Sequence, residues 1–227
     1  MKVHHILGIA IIVLGLFACN RVKDVIPEYT ERLFPMEEGQ TRTYLVIDTT
    51  FTTQDTVVDW FYRREVIGGT EVDLKGRTVR RLETLRSEYD LGTNYDFQPE
   101  RVWTVFKDDQ FAERLIENQR YLALKFPVFT GIKWNGHLFN GLGEQEYKYQ
   151  SIDTTMEVNG QVYDQVVFVL QSLPSDTTSF VRYRLAYELF KADIGKIAVY
   201  DRTIVNDGPN QEFNPDESYI HIEYLVE

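Results

Sequence analysis

Two hydrophobic patterns divide the chain. An unbroken apolar run, Ile6 to Phe17, follows Met1-Lys2-Val3-His4-His5, and beyond it apolar residues come only in short stretches. From Thr41 onwards these stretches are aromatic and β-branched and alternate with turn residues. They cover Thr41–Asp48, Thr56–Ile67, Thr78–Tyr89, Arg101–Lys107, Tyr121–Phe126, Glu146–Asp153, Val162–Gln171, Ser179–Phe190, Lys196–Val205 and Ser218–Val226. Such residues suit pleated, half-buried strands. Gly68-Gly69 and Asn159-Gly160 fall between stretches, where tight primed hairpin turns need positive φ. Asp108–Arg120 (DDQFAERLIENQR) is the best candidate for a helix, with Phe111, Leu115 and Ile116 on one side. Its stripe is thin, and a strand is the alternative. The expected fold is mainly β: an antiparallel curved sheet, half-open barrel or sandwich, with one short helix as an option.

The opening run is too short for a bilayer span, which takes about 20 apolar residues, and its basic start reads as a secretory signal. Leu16-Phe17-Ala18-Cys19 ends it. This tetrapeptide resembles the lipobox of bacterial lipoproteins, although Phe17 is bulkier than usual there. The resemblance implies cleavage before Cys19 and diacylglycerol on its thiol, and about two acyl chains make a stable anchor. Cys19 is the one cysteine, so no internal disulfide is available. Residues 1–18 are therefore read as a lipoprotein signal peptide, 19–32 as an acylated N-terminus and tether, and 33–227 as a β domain.

The domain echoes itself. Phe34-Pro35-Met36-Glu37-Glu38-Gly39 matches Phe126-Pro127-Val128-Phe129-Thr130-Gly131, and Ile47-Asp48-Thr49-Thr50 matches Ile152-Asp153-Thr154-Thr155. An internal duplication with halves 33–125 and 126–227 is one reading, and chance in a threonine-rich chain is the other. Together with Trp134 and Ala192-Asp193-Ile194-Gly195-Lys196-Ile197, the two Phe-Pro-x-x-x-Gly motifs resemble a group of Bacteroidetes predicted lipoproteins of unassigned function. That resemblance implies an envelope location and transfers no active-site residues. Asp24 is the only acid in the stretch Asn20–Asp24, which favours the periplasmic face of the outer membrane, with surface exposure as the alternative.

Charge narrows the partners. The chain carries a formal net charge of −11, and Lys2 is the only charged residue before Cys19, so cleavage makes it one unit more negative. Nucleic acid is not an expected partner for such a chain; membrane is, through acylated Cys19, with an envelope protein, a lipid or a glycan as further candidates. After Cys19 the histidines are His137 and His221, in no metal motif, and no nucleophile or phosphate-loop motif occurs. No cofactor or metal is expected. The loop Asn206–Glu217 is rich in oxygen ligands but lacks the Asp-x-Asp-x-Asp-Gly pattern of calcium loops.

Two groups of residues remain as candidate sites. Trp60, Trp103 and Trp134 either line a concave ligand-facing surface or pack in the core, and packing is the favoured reading. Thr49, Thr56, Thr154 and Thr177 each follow an aspartate and precede threonine or valine. Asp-(Ser/Thr)-(aliphatic or Thr) resembles the O-glycan acceptor motif of exported Bacteroidetes proteins, while Asp-Thr at strand ends is also ordinary turn chemistry. The functional expectation is a membrane-anchored, non-catalytic binding or scaffolding protein. A carrier of a lipid or other hydrophobic ligand is the alternative, and a carbohydrate-active enzyme stands behind both.

Overall fold

A computed structural model describes residues 30–89, 95–173, 182–207 and 212–226. Cys19, the segment read as a signal peptide and Thr177 lie outside the described residues. A 3-10 turn, Thr30–Leu33, precedes twelve strands. The first six are β1 (Thr41–Phe51), β2 (Thr56–Val72), β3 (Thr78–Glu88), β4 (Gln98–Lys107), β5 (Phe111–Ile116) and β6 (Gln119–Lys125). The second six are β7 (Lys133–Asn135), β8 (Glu146–Val158), β9 (Gln161–Ser172), β10 (Arg182–Lys191), β11 (Gly195–Asp207) and β12 (Glu212–Leu225). All pairings are antiparallel, in the order β6-β5-β4-β3-β2-β1-β12-β11-β10-β9-β8-β7. Sequence neighbours are thus spatial neighbours throughout, and β1 meets β12.

The sheet curls until its ends nearly touch. Between β6 and the β7–β8 side, Leu122 N donates to Gly136 O at 2.9 Å. Side chains extend this seam: Trp134 Nε1 donates to Leu122 O at 2.9 Å, and Tyr149 Oη both accepts from Lys125 N at 2.9 Å and donates to Lys125 O at 2.7 Å. A nearly closed barrel results, which removes most of the exposed sheet edge. Among the described residues no helix is long and apolar enough to cross a membrane.

The expected helix over 108–120 is instead a hairpin. Asp108 Oδ1 accepts from Gln110 N and Phe111 N at 2.8 and 2.9 Å and starts β5, and Glu117 and Asn118 both take positive φ, 50° and 65°, to return as β6. Two consecutive positive-φ residues form the primed turn that matches strand twist, and pairing with β4 outweighs a weak helical stripe. Asn159 and Gly160 form such a turn as expected, at 49° and 80°. Gly68-Gly69 does not. It sits inside β2, where the register with β3 shifts between Ile67 and Thr70, and a Cβ on Gly68 would stand 3.3 Å from Arg81 Cβ. That pair serves a bulge.

Both Phe-Pro-x-x-x-Gly segments do the same work at one end of the barrel. Phe34 and Phe126 are buried in one cluster with Leu33, Val128, Val167 and Phe190. Gly39 (φ 83°) donates to Ile67 O at 2.8 Å and Ile67 N returns to Gln40 O at 2.9 Å; Gly131 (φ 86°) donates to Tyr149 O at 2.7 Å and Tyr149 N returns to Ile132 O at 3.0 Å. Each motif therefore buries a ring and opens the first strand of a six-strand half. The Ile-Asp-Thr-Thr matches are not equivalent in this sense, since one lies in β1 and the other in β8. The chain enters at this plugged end: Thr30 is buried, although it belongs to the stretch read as tether, and Asp193 N donates to Arg32 O at 2.9 Å.

Candidate functional site

Strand pairing sets which side chains face inward. Partners across a sheet share a face, so Tyr44 and Val46 of β1 bring with them Arg63 and Phe61 of β2 and Leu225 and Glu223 of β12. The same register carries inward Val199 and Asp201 of β11 and Glu188 of β10. Apolar side chains fill the plugged end, ionic groups cross the middle, and the other end is hollow.

The ionic layer is continuous. Lys196 Nζ bonds Glu223 Oε2 at 2.5 Å and Glu65 Oε1 at 3.1 Å. Arg42 stands 3.7 Å from Glu65 and donates to Ile194 O at 3.2 Å. Arg63 pairs with Glu223, and His221 is held between Asp48 at Nδ1 and Glu223 at Nε2. Burial alone would lower the His221 pKa, but the two carboxylates outweigh it and raise it to about 9. For Glu223, burial pushes upward, yet Lys196, Arg63 and His221 hold the carboxyl well below its ordinary value. Glu65 is lowered likewise, against its burial, by Lys196 and Arg42. Every charge named here has an opposite within reach, as buried charges require.

Above this layer lies a cavity of about 750 Å³, open to solvent at the end opposite the plug. Its wall carries two arginine–carboxylate pairs. Arg114 grips both oxygens of Glu188, and Arg184 grips both oxygens of Asp201, at 3.2 and 2.8 Å, while Tyr219 Oη donates to Asp201 Oδ2 at 3.1 Å. Such forks are rigid and directional. Tyr121, Tyr147 and Gln171 complete the wall, and the 136–145 connection supplies His137 and Gln145. Burial raises the Tyr147 pKa and keeps its phenol protonated; burial, with Arg184 nearby, lowers that of His137. The His137 and Tyr147 rings meet edge to face, 6.2 Å apart, and Tyr121 lies 5.5 Å from His137 on its other contact.

None of the three tryptophans lines this cavity. Trp60 points outward because its neighbour Phe61 points in; it is 42% exposed and packs at 5.6 Å on Tyr89 beside a shallow depression. Trp103 packs partly buried against the main core, with the Arg63 guanidinium 5.9 Å from its ring and its indole N–H unpartnered among the described residues. Trp134 is buried at the seam. Of the threonines, Thr56 is exposed at the start of β2, Thr49 is half-buried in β1, and Thr154 is half-buried with its hydroxyl donating to Val166 O at 3.2 Å. Among the described residues no group of three or more His, Cys, Asp and Glu has metal-holding geometry.

The sequence reading missed the cavity tyrosines and arginines. In β10, Arg182-Tyr183-Arg184-Leu185-Ala186-Tyr187-Glu188, polar and aromatic residues occupy both faces, so alternation alone does not mark the inner one. The spacing of Arg184 and Glu188, four residues apart and so on one face of a strand, is the available signal. Comparison with family models, with curated proteins and with solved structures returns no match.

Proposed function

We propose that the protein is a membrane-anchored, non-catalytic binding protein of the bacterial envelope, and that it holds a small polar ligand in the open half of its barrel. The observation that carries this reading is the cavity itself, whose volume of about 750 Å³ falls within the range of about 300–1,000 Å³ typical of small-molecule sites. Its walls are closed strands, so the polar groups are held in place before a ligand arrives, which lowers the ordering cost of binding. The carboxylates Glu188 and Asp201 are each committed to an arginine, an arrangement suited to recognition rather than proton transfer.

An anchor at Cys19, eleven residues before Thr30 at the plugged end, would tether the barrel by that end. A carrier of hydrophobic cargo would need an apolar void, and ion pairs with phenol groups are a poor lining for one.

Thermal-shift screening of the purified protein against a library of polar metabolites tests the reading. A true ligand at about 100 times its Kd should stabilise the fold by about 2.7 kcal/mol. Ser172→Trp, placed on the cavity wall, should abolish the shift while leaving the unliganded Tm close to wild type. Equal stabilisation of Ser172→Trp would move the site elsewhere, and a screen without ligands would remove the proposal.

A further inference from the structure

The identity of the ligand class follows from what the cavity leaves unpaired. Its inner charges are already matched: Arg114 with Glu188, Arg184 with Asp201, and His221 with Asp48 and Glu223. Arg182 and Glu144, of opposite sign, stand exposed at the mouth. An anion entering this space would meet guanidinium groups whose forks are occupied and two carboxylates that repel it. A cation would meet carboxylates screened by arginine. Neither gains enough to offset its lost hydration.

The groups left over are neutral. Tyr147 is 5% exposed and Gln171 9% exposed, both face the cavity, and neither the Tyr147 hydroxyl nor the Gln171 amide has a partner among the described residues. Tyr121, half-buried on the same wall, also has no hydroxyl partner among the described residues. Their polar ends reach the open cavity, where water or a ligand can bond them. A phenol hydroxyl both donates and accepts, and a primary amide has two donors beside its acceptor oxygen. Their best complement is a ligand whose every polar group also does both.

We infer that the cavity binds a neutral saccharide, a mono- or oligosaccharide whose hydroxyls bond Tyr147, Gln171 and Tyr121 while a ring face packs on the tyrosine edge of the wall. This rests on the cavity being the binding site. Sugar hydroxyls meet the donor and acceptor requirement, and the remaining N–H groups of Arg114 and Arg184 add donors without adding net charge. The volume admits a short oligosaccharide rather than a single ion. A peptide fits less well, because it pairs through an extended backbone edge and the strands here offer their edges to one another.

The test uses the full acylated chain in a detergent that carries no sugar. Isothermal titration is run with glucose, galactose, N-acetylglucosamine, maltose and cellobiose, and in parallel with glucuronate, citrate and glycylglycine. At least one neutral sugar should bind, and Tyr147→Phe and Gln171→Leu should each weaken it by tenfold or more with the unliganded Tm preserved. Should Gln171→Leu not fold, Tyr121→Phe replaces it. If citrate, glucuronate or the dipeptide binds in place of the neutral sugars and Ser172→Trp abolishes that binding, the saccharide assignment is overturned and the cavity reading stands. Saccharide binding that survives Ser172→Trp overturns both, and absence of binding to every sugar overturns the assignment.

Discussion

His221 makes stability depend on pH in a direction opposite to that of an ordinary buried histidine. Its ring bridges Asp48 and Glu223; Arg63 shares Glu223 Oε1 with it, and Lys196 holds Oε2. In the unfolded chain the imidazole releases its proton near 6.5, whereas in the folded chain it keeps it up to about 9. Between those values the folded state binds more protons, so stability is fully present below 6.5 and falls as pH rises through 9. At about 1.4 kcal/mol for each tenfold, the gap corresponds to about 3 kcal/mol, and the 27% exposure of the side chain makes that an upper figure. Glu65 and Glu223 do not interfere, because their contribution is lost only as pH falls below 4.5. Urea melts between about pH 6 and about pH 9, at roughly 2 kcal/mol per molar urea, should show the midpoint falling by about 1–1.5 M. His221→Gln should remove most of that slope. A flat wild-type profile, or an equal decline in His221→Gln, would refute the argument.

Two further outcomes follow from the plugged end and the proposed anchor. Gly195 has φ +92°, and a Cβ there would lie 2.5 Å from Arg42 Nη1 and 3.2 Å from Pro35 Cδ, so Gly195→Ala should cost about 1–3 kcal/mol in urea melts; an unchanged midpoint would mean the turn is not what pins the plug. Cys19→Ser should abolish labelling by a fatty-acid analogue and release the protein from the membrane fraction, and a wild-type chain that takes up no label would end the anchor proposal.

The sequence by itself determined the class of fold. Short β-branched and aromatic stretches separated by turn residues leave little choice but antiparallel strands, and Asn159-Gly160 marks its hairpin because few other residue pairs accept two positive φ angles in succession. Each of the ten expected stretches overlaps a single strand, in chain order. Local chemistry was a poorer guide where pairing competes with it. Phe111 and Leu115 suggest one side of a helix, yet pairing with β4 makes them strand residues, and Gly68-Gly69 suggest a turn where the sheet needs a bulge. The cavity was not legible at all. Tyr121, Tyr147, Gln171 and Arg184 come from four strands, and a strand with polar residues on both faces does not reveal which face the barrel encloses. Closure between β6 and β7 decides that. It turns one face of every strand towards a common interior, where arginines and carboxylates distant in sequence pair because partial burial strips much of their hydration.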